Sequence, residues 1–168
     1  MKTAPAILCT ILIGCLAPGC LGYRMGTSLP GNVRSIYIPT FVNKTDEPLL
    51  ETEATRETIQ AFQTDGSLRI AEANRADCRL EIALTALLLE PVVYERNDAK
   101  VPEEYRLRIK ADVTLLNSRT GEKILTKQAT GERLFAPGGD LATAKRNAIP
   151  PASRDLARKV VKTVVAFW

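Results

Sequence analysis

The segment "YRLRIKADVTLLNSRTGEKILTKQATGERLF" (residues 105–135) decides how this chain folds. Its first part, residues 105–116, alternates between apolar and polar side chains, which is typical of a β-strand with one buried and one exposed face. The polar residues 117–122 include Gly121 and favour a turn. Residues 123–135 then continue as a second strand, so the segment predicts an antiparallel hairpin.

The alternation assigns the side chains of residues 105–116 to two opposite faces of one strand. We expect the apolar side chains to face a core and the polar ones to face away from it. The apolar set is Tyr105, Leu107, Ile109, Ala111, Val113 and Leu115, and the polar set is Arg106, Arg108, Lys110, Asp112 and Thr114.

A strand and a helix are predicted earlier in the chain. Residues 35–41, "SIYIPTF", are β-branched and aromatic, and their internal proline indicates an edge strand or a strand end. Residues 43–66 carry apolar side chains at helical spacing. Thr45 or Asp46 is a suitable N-cap for that helix, and Gly66 is suited to end it.

Two further strands are predicted between this helix and the hairpin. Residues 67–73 form a short one. Residues 78–95 begin with alternation and become apolar on both faces at Leu87–Leu89, which predicts a strand covered on two sides. Pro91 is expected to bend or end it. The polar residues 96–104 are interpreted as a connection.

The C-terminal region predicts helical structure. Asp140 is a suitable N-cap for a helix that starts near Leu141. Pro150 and Pro151 are expected to interrupt this helix, with a second helical segment beginning there. The second segment has an apolar stripe and a basic face, which favours packing on the sheet over the alternative of lying on a membrane surface. The stripe is Leu156, Ala157, Val160, Val161, Val164, Val165 and Trp168, and the basic face is Arg154, Arg158, Lys159 and Lys162.

The order of these elements predicts an α+β fold. Consecutive strands joined by short turns pair antiparallel, and helices that are segregated from the strands collect on one face of the sheet. We therefore expect a two-layer sandwich, in which a mainly antiparallel sheet has two or three helices packed on one face.

The composition excludes several classes of function. The 168 residues carry a net charge of +4, contain no histidine and show no dense Lys/Arg tract. The missing tract argues against a nucleic-acid partner, and without histidine the usual Ser-His and Cys-His pairs and the commonest metal ligand are absent. No cofactor, metal or catalytic motif occurs, so we expect a protein without cofactor or enzymatic activity. The alternative is a hydrolase using the carboxylates of Glu51, Glu53, Glu103 and Glu104.

The N-terminus has the pattern of an export signal that ends at a cysteine. Met1 and Lys2 precede an apolar stretch, residues 6–13, much shorter than the ~20 residues of a membrane-spanning helix. Two cysteines follow small residues near the end of this stretch, as in a bacterial lipobox. The local sequence "LIGC" favours Cys15 as the lipidated residue, whereas the short leader that this cleavage would leave favours Cys20.

The state of Cys78 depends on which cysteine is the anchor. If Cys15 is lipidated, Cys20 can pair with Cys78 in an oxidising compartment. If Cys20 is lipidated, Cys78 is the remaining thiol. Because Cys78 opens an apolar segment, we expect it to be a small buried side chain.

Five stretches of the chain are characteristic in their order and spacing. They are "CLGYRMGTSLPGNVRSIYIPTFVNKT" (20–45), "EPLLETEATRETIQAF" (47–62), "ADCRLEIALTALL" (76–88), "EYRLRIKADVTLLNSRTGEKI" (104–124) and the closing Ala/Leu/Val-rich helix. Together they resemble the LptE family of lipopolysaccharide-assembly lipoproteins. In that family a glycine and an aromatic residue closely follow the lipidated cysteine, and the corresponding residues here are Cys20, Gly22 and Tyr23.

The resemblance implies a division of the chain into a lipoprotein signal peptide (1–19), an anchor and tether (20–34) and an LptE-like domain (35–168). It implies a protein held by lipid at the outer membrane, on the periplasmic side. Such a protein would assist and plug an LptD-type outer-membrane β-barrel and would contact lipopolysaccharide. The alternative is an envelope scaffolding lipoprotein of similar fold with another partner.

Contact with lipopolysaccharide would favour cationic residues on one face, because this ligand carries anionic phosphates. The candidates are Arg106, Arg108 and Lys110 on the polar face of the strand, with Arg96 and Lys100 in the preceding connection. This hypothesis rests on the alternation of apolar and polar residues along 105–116. The alternative is a charged strand face that is simply solvated.

Overall fold

The computed structural model describes residues 33–94 and 102–167, and for Val93 and Tyr94 it describes the backbone. Within these ranges the chain forms one sheet and two helices, so the α+β class is confirmed. The elements in chain order are β1 (Ser35–Tyr37), β2 (Val42–Asn43), α1 (Leu50–Asp65), β3 (Arg69–Ile70), β4 (Cys78–Tyr94), β5 (Pro102–Asn117), β6 (Lys123–Phe135) and α2 (Leu141–Val165).

The predicted hairpin is confirmed. β5 and β6 pair antiparallel along residues 105–115 and 125–135. At the turn, the N–H of Asn117 donates to the carbonyl of Glu122 at 2.9 Å, and Gly121 has a φ of 71°. Glycine adopts this left-handed conformation without the steric cost that a Cβ would add, which is why the chain reverses here.

The sheet is mixed, so the expectation of a mainly antiparallel sheet is only partly right. Its strand order is β3-β1-β4-β5-β6, with β2 also paired to β4. β4, β5 and β6 are antiparallel neighbours, but β1 runs parallel to β3 and β4, and β2 runs parallel to β4. The reason is α1, which lies between β2 and β3. A crossover helix carries the chain back to the end of the sheet from which it came, so the next strand runs in the same direction.

A β-bulge interrupts the regular pairing of β4. Leu84 pairs with Ala111, and Ala86 pairs with Lys110, which follows immediately on the antiparallel partner. Thr85 is therefore one extra residue on β4. Before the bulge the even-numbered side chains of β4 face the core. After it the odd-numbered side chains do so.

This shift explains the run of leucines in β4. Leu87 and Leu89 point to the helices and pack against the core, where they are partly buried. Leu88 points the other way, because it pairs with Arg108 and paired residues share a face. The prediction that β4 is covered on both faces is therefore wrong for the described part of the chain.

Pro91 does not end β4, but the pairing with β5 becomes irregular directly after it, between Pro91 and Val93. The strand continues to Tyr94, with Pro91 opposite Tyr105 on β5. No described strand pairs with the other edge of β4 beyond Leu84. Proline is tolerated in an edge strand, where its missing N–H faces away from the ladder.

The N-terminus of α1 differs from the prediction. The helix begins at Leu50, and its N-cap residue is Leu49 in a left-handed conformation (φ 63°) without a side-chain cap. Thr45 and Asp46 lie in the preceding turn, where the hydroxyl of Thr45 donates to Oδ1 of Asn43 at 2.7 Å. Thr45, which the sequence predicted as an N-cap of α1, therefore stabilises the preceding turn instead of the helix.

The predicted end of α1 and the predicted start of α2 are confirmed. Gly66 has a φ of 73°, and its N–H donates to the carbonyl of Phe62 at 3.0 Å. The carboxylate of Asp140 accepts hydrogen bonds from the N–H groups of Ala142 and Thr143 at 3.1 and 3.2 Å. Both ends follow from local chemistry that depends on a single residue.

α2 is one continuous helix, so the predicted interruption at Pro150 and Pro151 is wrong. Each proline lacks the N–H that would complete a helical hydrogen bond. Packing holds the helix together across this gap, because Ala148, Ala152 and Leu156 are all buried in the core. None of the helices described here is long and apolar enough to cross a membrane.

The helices and the inner face of the sheet enclose one hydrophobic core. The predicted stripe of α2 is buried through Val164, and its basic face is exposed; Trp168 falls outside the described ranges. The apolar face of residues 105–115 is buried as expected, with Tyr105 partly buried. The largest fully buried side chains are Phe62, Ile36, Leu50, Leu68, Leu80, Leu84, Leu107, Ile109, Leu115, Leu156, Val113 and Val160.

A buried carboxylate links the two helices. Glu57 of α1 is only 2% exposed and lies 3.2 Å from Nε of Arg154 on α2. Nη2 of Arg56 contacts the same carboxylate at 2.8 Å. A buried charge needs such partners, so this pair fixes how α1 lies against α2.

Candidate ligand-binding face

The face of the sheet opposite the helices is left uncovered by the described residues, and we call it the open face. It consists of alternate side chains of β4, β5 and β6. On β5 these are the five polar residues that the alternation predicted. The structure therefore brings the candidates Arg106, Arg108 and Lys110 together in one row along β5.

Arg108, in the middle of this row, is engaged by two carboxylates. Its Nη1 lies 3.0 Å from Oε2 of Glu90 on β4, and its Nε lies 3.5 Å from Oε2 of Glu132 on β6. The three side chains are 30%, 42% and 49% exposed, so solvent screens the pairs and each is worth at most about 1 kcal/mol. Their main effect is to hold the guanidinium between the strands and to neutralise it.

Arg106 has a different environment from Arg108. The strand register places it opposite Glu90 on one side and Leu134 on the other. The carboxylate of Glu90 is turned diagonally towards Arg108. Within the described ranges Arg106 forms no ion pair, so its charge is available to a ligand.

Lys110, at the other end of the row, is exposed. Its cross-strand neighbours are Ala86 on β4 and Thr130 on β6, and neither carries a charge. Lys110 likewise has no carboxylate partner in the part of the chain that the structure describes. The row therefore has a free cation at each end and a neutralised arginine between them.

Two other charged positions of the open face have local partners. Gln128 donates from Nε2 to Oδ1 of Asp112 at 3.0 Å, and Nε of Arg79 lies 3.0 Å from Oε1 of Glu81. Arg106 and Lys110 are thus the unpaired cations of β5 on this face, and Glu104, two residues before Arg106 on the same side of the strand, has no ion pair within the described ranges either. We take this row as the candidate ligand-binding site.

The carboxylates Glu90 and Glu132 are missing from the sequence-based candidates. On β6 an alternation count could have placed Glu132 on the polar face. On β4 strict alternation from Leu80, Ile82 and Leu84 assigns Glu90 to the core face, because the count misses the bulge. Which cation each would meet depends on the register, including the bulge at Thr85. Only the paired sheet provides that information.

The other candidate site residues cannot be placed. Cys15 and Cys20, the alternative lipidation sites, and Arg96 and Lys100, the candidate ligand contacts before β5, all fall outside the described ranges. They stay predictions.

The candidate catalytic carboxylates do not form a joint site. Glu51 accepts a hydrogen bond from Nδ2 of Asn43 at 2.8 Å, and Glu53 pairs with Arg56 at 2.7 Å. The Glu103–Glu104 pair lies on β5, where successive side chains point to opposite faces. Among the described residues no cluster of three or more His, Cys, Asp or Glu side chains is suited to a metal ion.

Cys78 is a buried free thiol, as its place in an apolar segment predicts. Burial, assisted by the nearby charge of Asp77, raises the pKa of this thiol to about 11. The thiol therefore stays protonated and unreactive at neutral pH. Its predicted pairing with Cys20 involves a residue outside the described ranges.

Comparison with known proteins identifies the family of this chain. A family model named LptE and described as lipopolysaccharide-assembly matches residues 33–164. The chain belongs to the LptE family. LptE proteins are non-enzymatic lipoproteins. The match covers both helices almost completely and every strand of the sheet, including the whole open face.

Solved structures share the fold at low sequence identity. A hypothetical protein from Chlamydia trachomatis aligns with a TM-score of 0.57 and 11% identity, over 80% of this chain and 97% of its own. A DUF330 protein from Xanthomonas campestris aligns with a TM-score of 0.57 and 13% identity, over 84% and 90%. A minor lipoprotein from Acinetobacter baumannii aligns with a TM-score of 0.53 and 11% identity, over 79% and 93%. A search of the curated proteins finds no match.

Proposed function

We propose that this LptE-family protein acts in the transport of lipopolysaccharide to the outer membrane and its assembly there. In this proposal it is the lipoprotein partner and plug of an LptD-type β-barrel, and it contacts lipopolysaccharide directly. The observation that carries the proposal is the match of the lipopolysaccharide-assembly family to residues 33–164. The proposal requires no cofactor and no nucleic acid.

The lipid anchor is the first part of the proposal. A modified cysteine after the leader, Cys20 or alternatively Cys15, would carry several acyl chains, and each buried CH₂ contributes about 0.8 kcal/mol to membrane binding. The domain would then stay at the periplasmic side of the outer membrane. Intact-mass analysis of the mature protein distinguishes the two sites, because the termini "CLAPGCLGY" and "CLGY" differ by residues 15–19.

The plug role is supported by the architecture of the domain. Large outer-membrane barrels have polar lumens, so a domain that enters one needs a rigid core and a polar surface. Here one core runs through the whole domain, and the basic face of α2 and the charged open face point outward. Nothing in this arrangement requires an apolar environment around the domain.

Contact with lipopolysaccharide is assigned to the row on the open face. Phosphate groups accept charge-assisted hydrogen bonds from arginine and lysine. Arg106 and Lys110 offer unpaired cations for this purpose, and Arg108 lies between them. Arg96 and Lys100 remain candidates for further contacts.

Affinity purification tests the partnership. The tagged, full-length protein is purified from solubilised outer membrane, and the proteins that elute with it are identified by mass spectrometry. We expect a large outer-membrane β-barrel in near-stoichiometric amount. Recovery of a different envelope partner without any barrel would reject the proposal in favour of the scaffolding alternative. A variant with alanine at both Cys15 and Cys20 serves as the control for membrane location.

A further inference from the structure

The outer edge of β4 carries unpaired main-chain groups. The carbonyl of Lys110 on β5 faces β4, where it accepts from Oγ1 of Thr85 at 3.3 Å, and Lys110 pairs with Ala86. Because the main-chain groups of successive residues alternate between the two sides of a strand, those of Leu87 and Leu89 face away from β5. Within residues 33–94 and 102–167 nothing pairs with them on that side. This edge is therefore a template for one more strand.

The opposite edge of the sheet, on β6, is capped by side chains of α2. Nζ of Lys159 donates to the carbonyl of Thr130 at 2.9 Å, and the carboxylate of Asp155 accepts from the N–H of Glu132 at 3.0 Å. These side chains take the place that a further strand would occupy. Beyond Leu84 the described residues provide no such cap for β4. The domain thus protects one edge against strand addition and leaves the other available.

A cavity of about 420 Å³ lies where β2 leaves the edge of β4. The N–H of Lys44 still donates to the carbonyl of Leu84 at 2.9 Å, and the chain then turns towards α1. The cavity is lined by residues 44–47 of this turn, by residues 85–87 of β4 and by Lys145 of α2. It therefore leaves room for a polypeptide backbone beside β4, directly after the place where β2 stops.

Pro91 disfavours a second copy of this chain as the occupant of the edge. Two β4 edges can pair antiparallel about Leu89, which places Leu87 opposite Pro91 of the second copy. Because proline has no N–H, the carbonyl of Leu87 would lack a donor in both copies. A different segment, with an N–H at that position, pairs with the whole edge.

We infer that the edge of β4 at residues 87–91 binds an extended segment of another polypeptide, which pairs with it as an additional strand. This inference rests on the proposed partnership with a barrel protein and specifies the surface and the kind of contact. Leu87 and Leu89 are partly buried on the helix side, while Leu88 and Glu90 face the open face. Paired residues share a face, so the segment should present apolar side chains to the helices and polar ones to the open face. Main-chain hydrogen bonds supply the affinity.

Hydrogen exchange resolved to single amides locates the added strand. The tagged, full-length protein is purified with its partner from solubilised outer membrane and, after expression without the partner, alone. We expect the amides of Leu87 and Leu89 to exchange at least about tenfold more slowly in the complex. The internal control is the amide of Gln128, which faces the outer edge of β6 like the N–H of Glu132. It should exchange at the same rate in both samples.

Leu89→Pro and Leu89→Ala form a matched pair of variants. Both remove the leucine side chain, but only proline removes the N–H that faces the outer edge. Pro91 shows that β4 accommodates proline at a position of this kind. We expect Leu89→Pro to retain at least about fivefold less partner than Leu89→Ala, because a main-chain hydrogen bond to the added strand is lost. Circular dichroism and urea midpoints compare the folding of the two variants, and the exchange measurement decides if Leu89→Pro does not fold.

The outcomes distinguish the inference from the proposed function. Unchanged exchange of Leu87 and Leu89 in the complex, or equal retention of the partner by both folded variants, overturns the inference while the partnership stands. Slow exchange of both amides in the protein purified alone also overturns it, because the edge is then covered by this chain itself or by a second copy. A protein that elutes from the outer membrane without any partner rejects the partnership, and the inference with it.

Discussion

At Gly131 the strand β6 meets helix α2 with no side chain between them. A Cβ built at this position would lie 2.5 Å from Cβ of Leu156 and 2.6 Å from its backbone nitrogen, closer than non-bonded atoms approach. The helix can therefore settle onto the sheet closely enough to bury Ala152 and Leu156. This contact helps explain why α2 stays continuous through its two prolines.

Gly131→Ala is expected to lower the free energy of unfolding by about 1–3 kcal/mol, because strand and helix must separate to admit the methyl group. Urea unfolding followed by circular dichroism measures the change. Thr126→Val, an exposed substitution on the same strand that preserves shape, should stay within about 0.5 kcal/mol. An unchanged urea midpoint for Gly131→Ala would contradict the close packing.

Cys78 should make the stability of the domain sensitive to alkaline pH. Its pKa is raised from the ordinary 9.0 to about 11 in the folded protein. Between these values the unfolded chain releases the thiol proton and the folded protein keeps it, so stability falls as the pH rises through this window. Below pH 9 both states hold the proton and the effect disappears.

The measurement compares the unmodified protein with Cys78→Ala from pH 7 to 11. We expect the unmodified protein to lose about 1–3 kcal/mol more than the variant between pH 9 and 11. Other groups titrate in the same range, which is why the difference between the two proteins is the quantity of interest. Parallel curves for the two proteins would show that the thiol is not responsible.

At the scale of elements, the bulge at Thr85 sets the register between β4 and the rest of the sheet. Before it, Leu80, Ile82 and Leu84 face the core; after it, Leu87 and Leu89 do so. If Thr85 were paired regularly instead of forming the bulge, strict alternation would turn these last two leucines to the open face. A single residue thus decides which leucines are covered by the helices.

Deletion of Thr85 should therefore be tolerated at a cost of about 1–2 kcal/mol or less, because Ala86 then follows Leu84 directly opposite Lys110, and Leu87 and Leu89 keep their places on the core face. The control is Thr85→Ala, which keeps the bulge and loses only the exposed hydrogen bond from Oγ1 to the carbonyl of Lys110 at 3.3 Å. That control should cost less than about 1 kcal/mol. Chemical denaturation compares the two variants, and a loss of about 3 kcal/mol or more on deletion of Thr85 would show that the leucines do not keep their faces without it.

At the scale of the whole molecule, the fold separates stability from the candidate site. The core lies between the helices and the inner face of the sheet, while the row of cations lies on the face that the described elements leave open. The ion pairs of Arg108 are half exposed and contribute little to folding. Charged residues on the open face can therefore be substituted without disrupting the packing of the core.

The triple variant Arg106→Gln, Arg108→Gln, Lys110→Gln tests this separation. We expect its free energy of unfolding to stay within about 1–2 kcal/mol of the unmodified protein, since only exposed charges are removed. Its melting temperature and its recovery with a barrel partner are measured together. Loss of folding would show that the row is part of the scaffold rather than a ligand site.

Features that depend on near neighbours in the chain can be predicted from the sequence. The β5–β6 hairpin and its two faces follow from an alternation with period two, and Gly66 and Asp140 mark helix ends through their own backbone and side-chain chemistry. The row of Arg106, Arg108 and Lys110 follows from the same alternation. The likeness to the LptE family also lies in the order of such local segments.

The tertiary structure alone decided the features that depend on distant neighbours. The parallel pairing of β1 and β2, the continuity of α2 through Pro150 and Pro151, and the carboxylates on either side of Arg108 all depend on how separate segments meet. Local propensity is worth only a few tenths of a kcal/mol to about 3 kcal/mol per residue, and burial in a shared core outweighs it. Which strand lies beside which, and in what register, is set by that burial, because a shift of one residue would expose the whole apolar face.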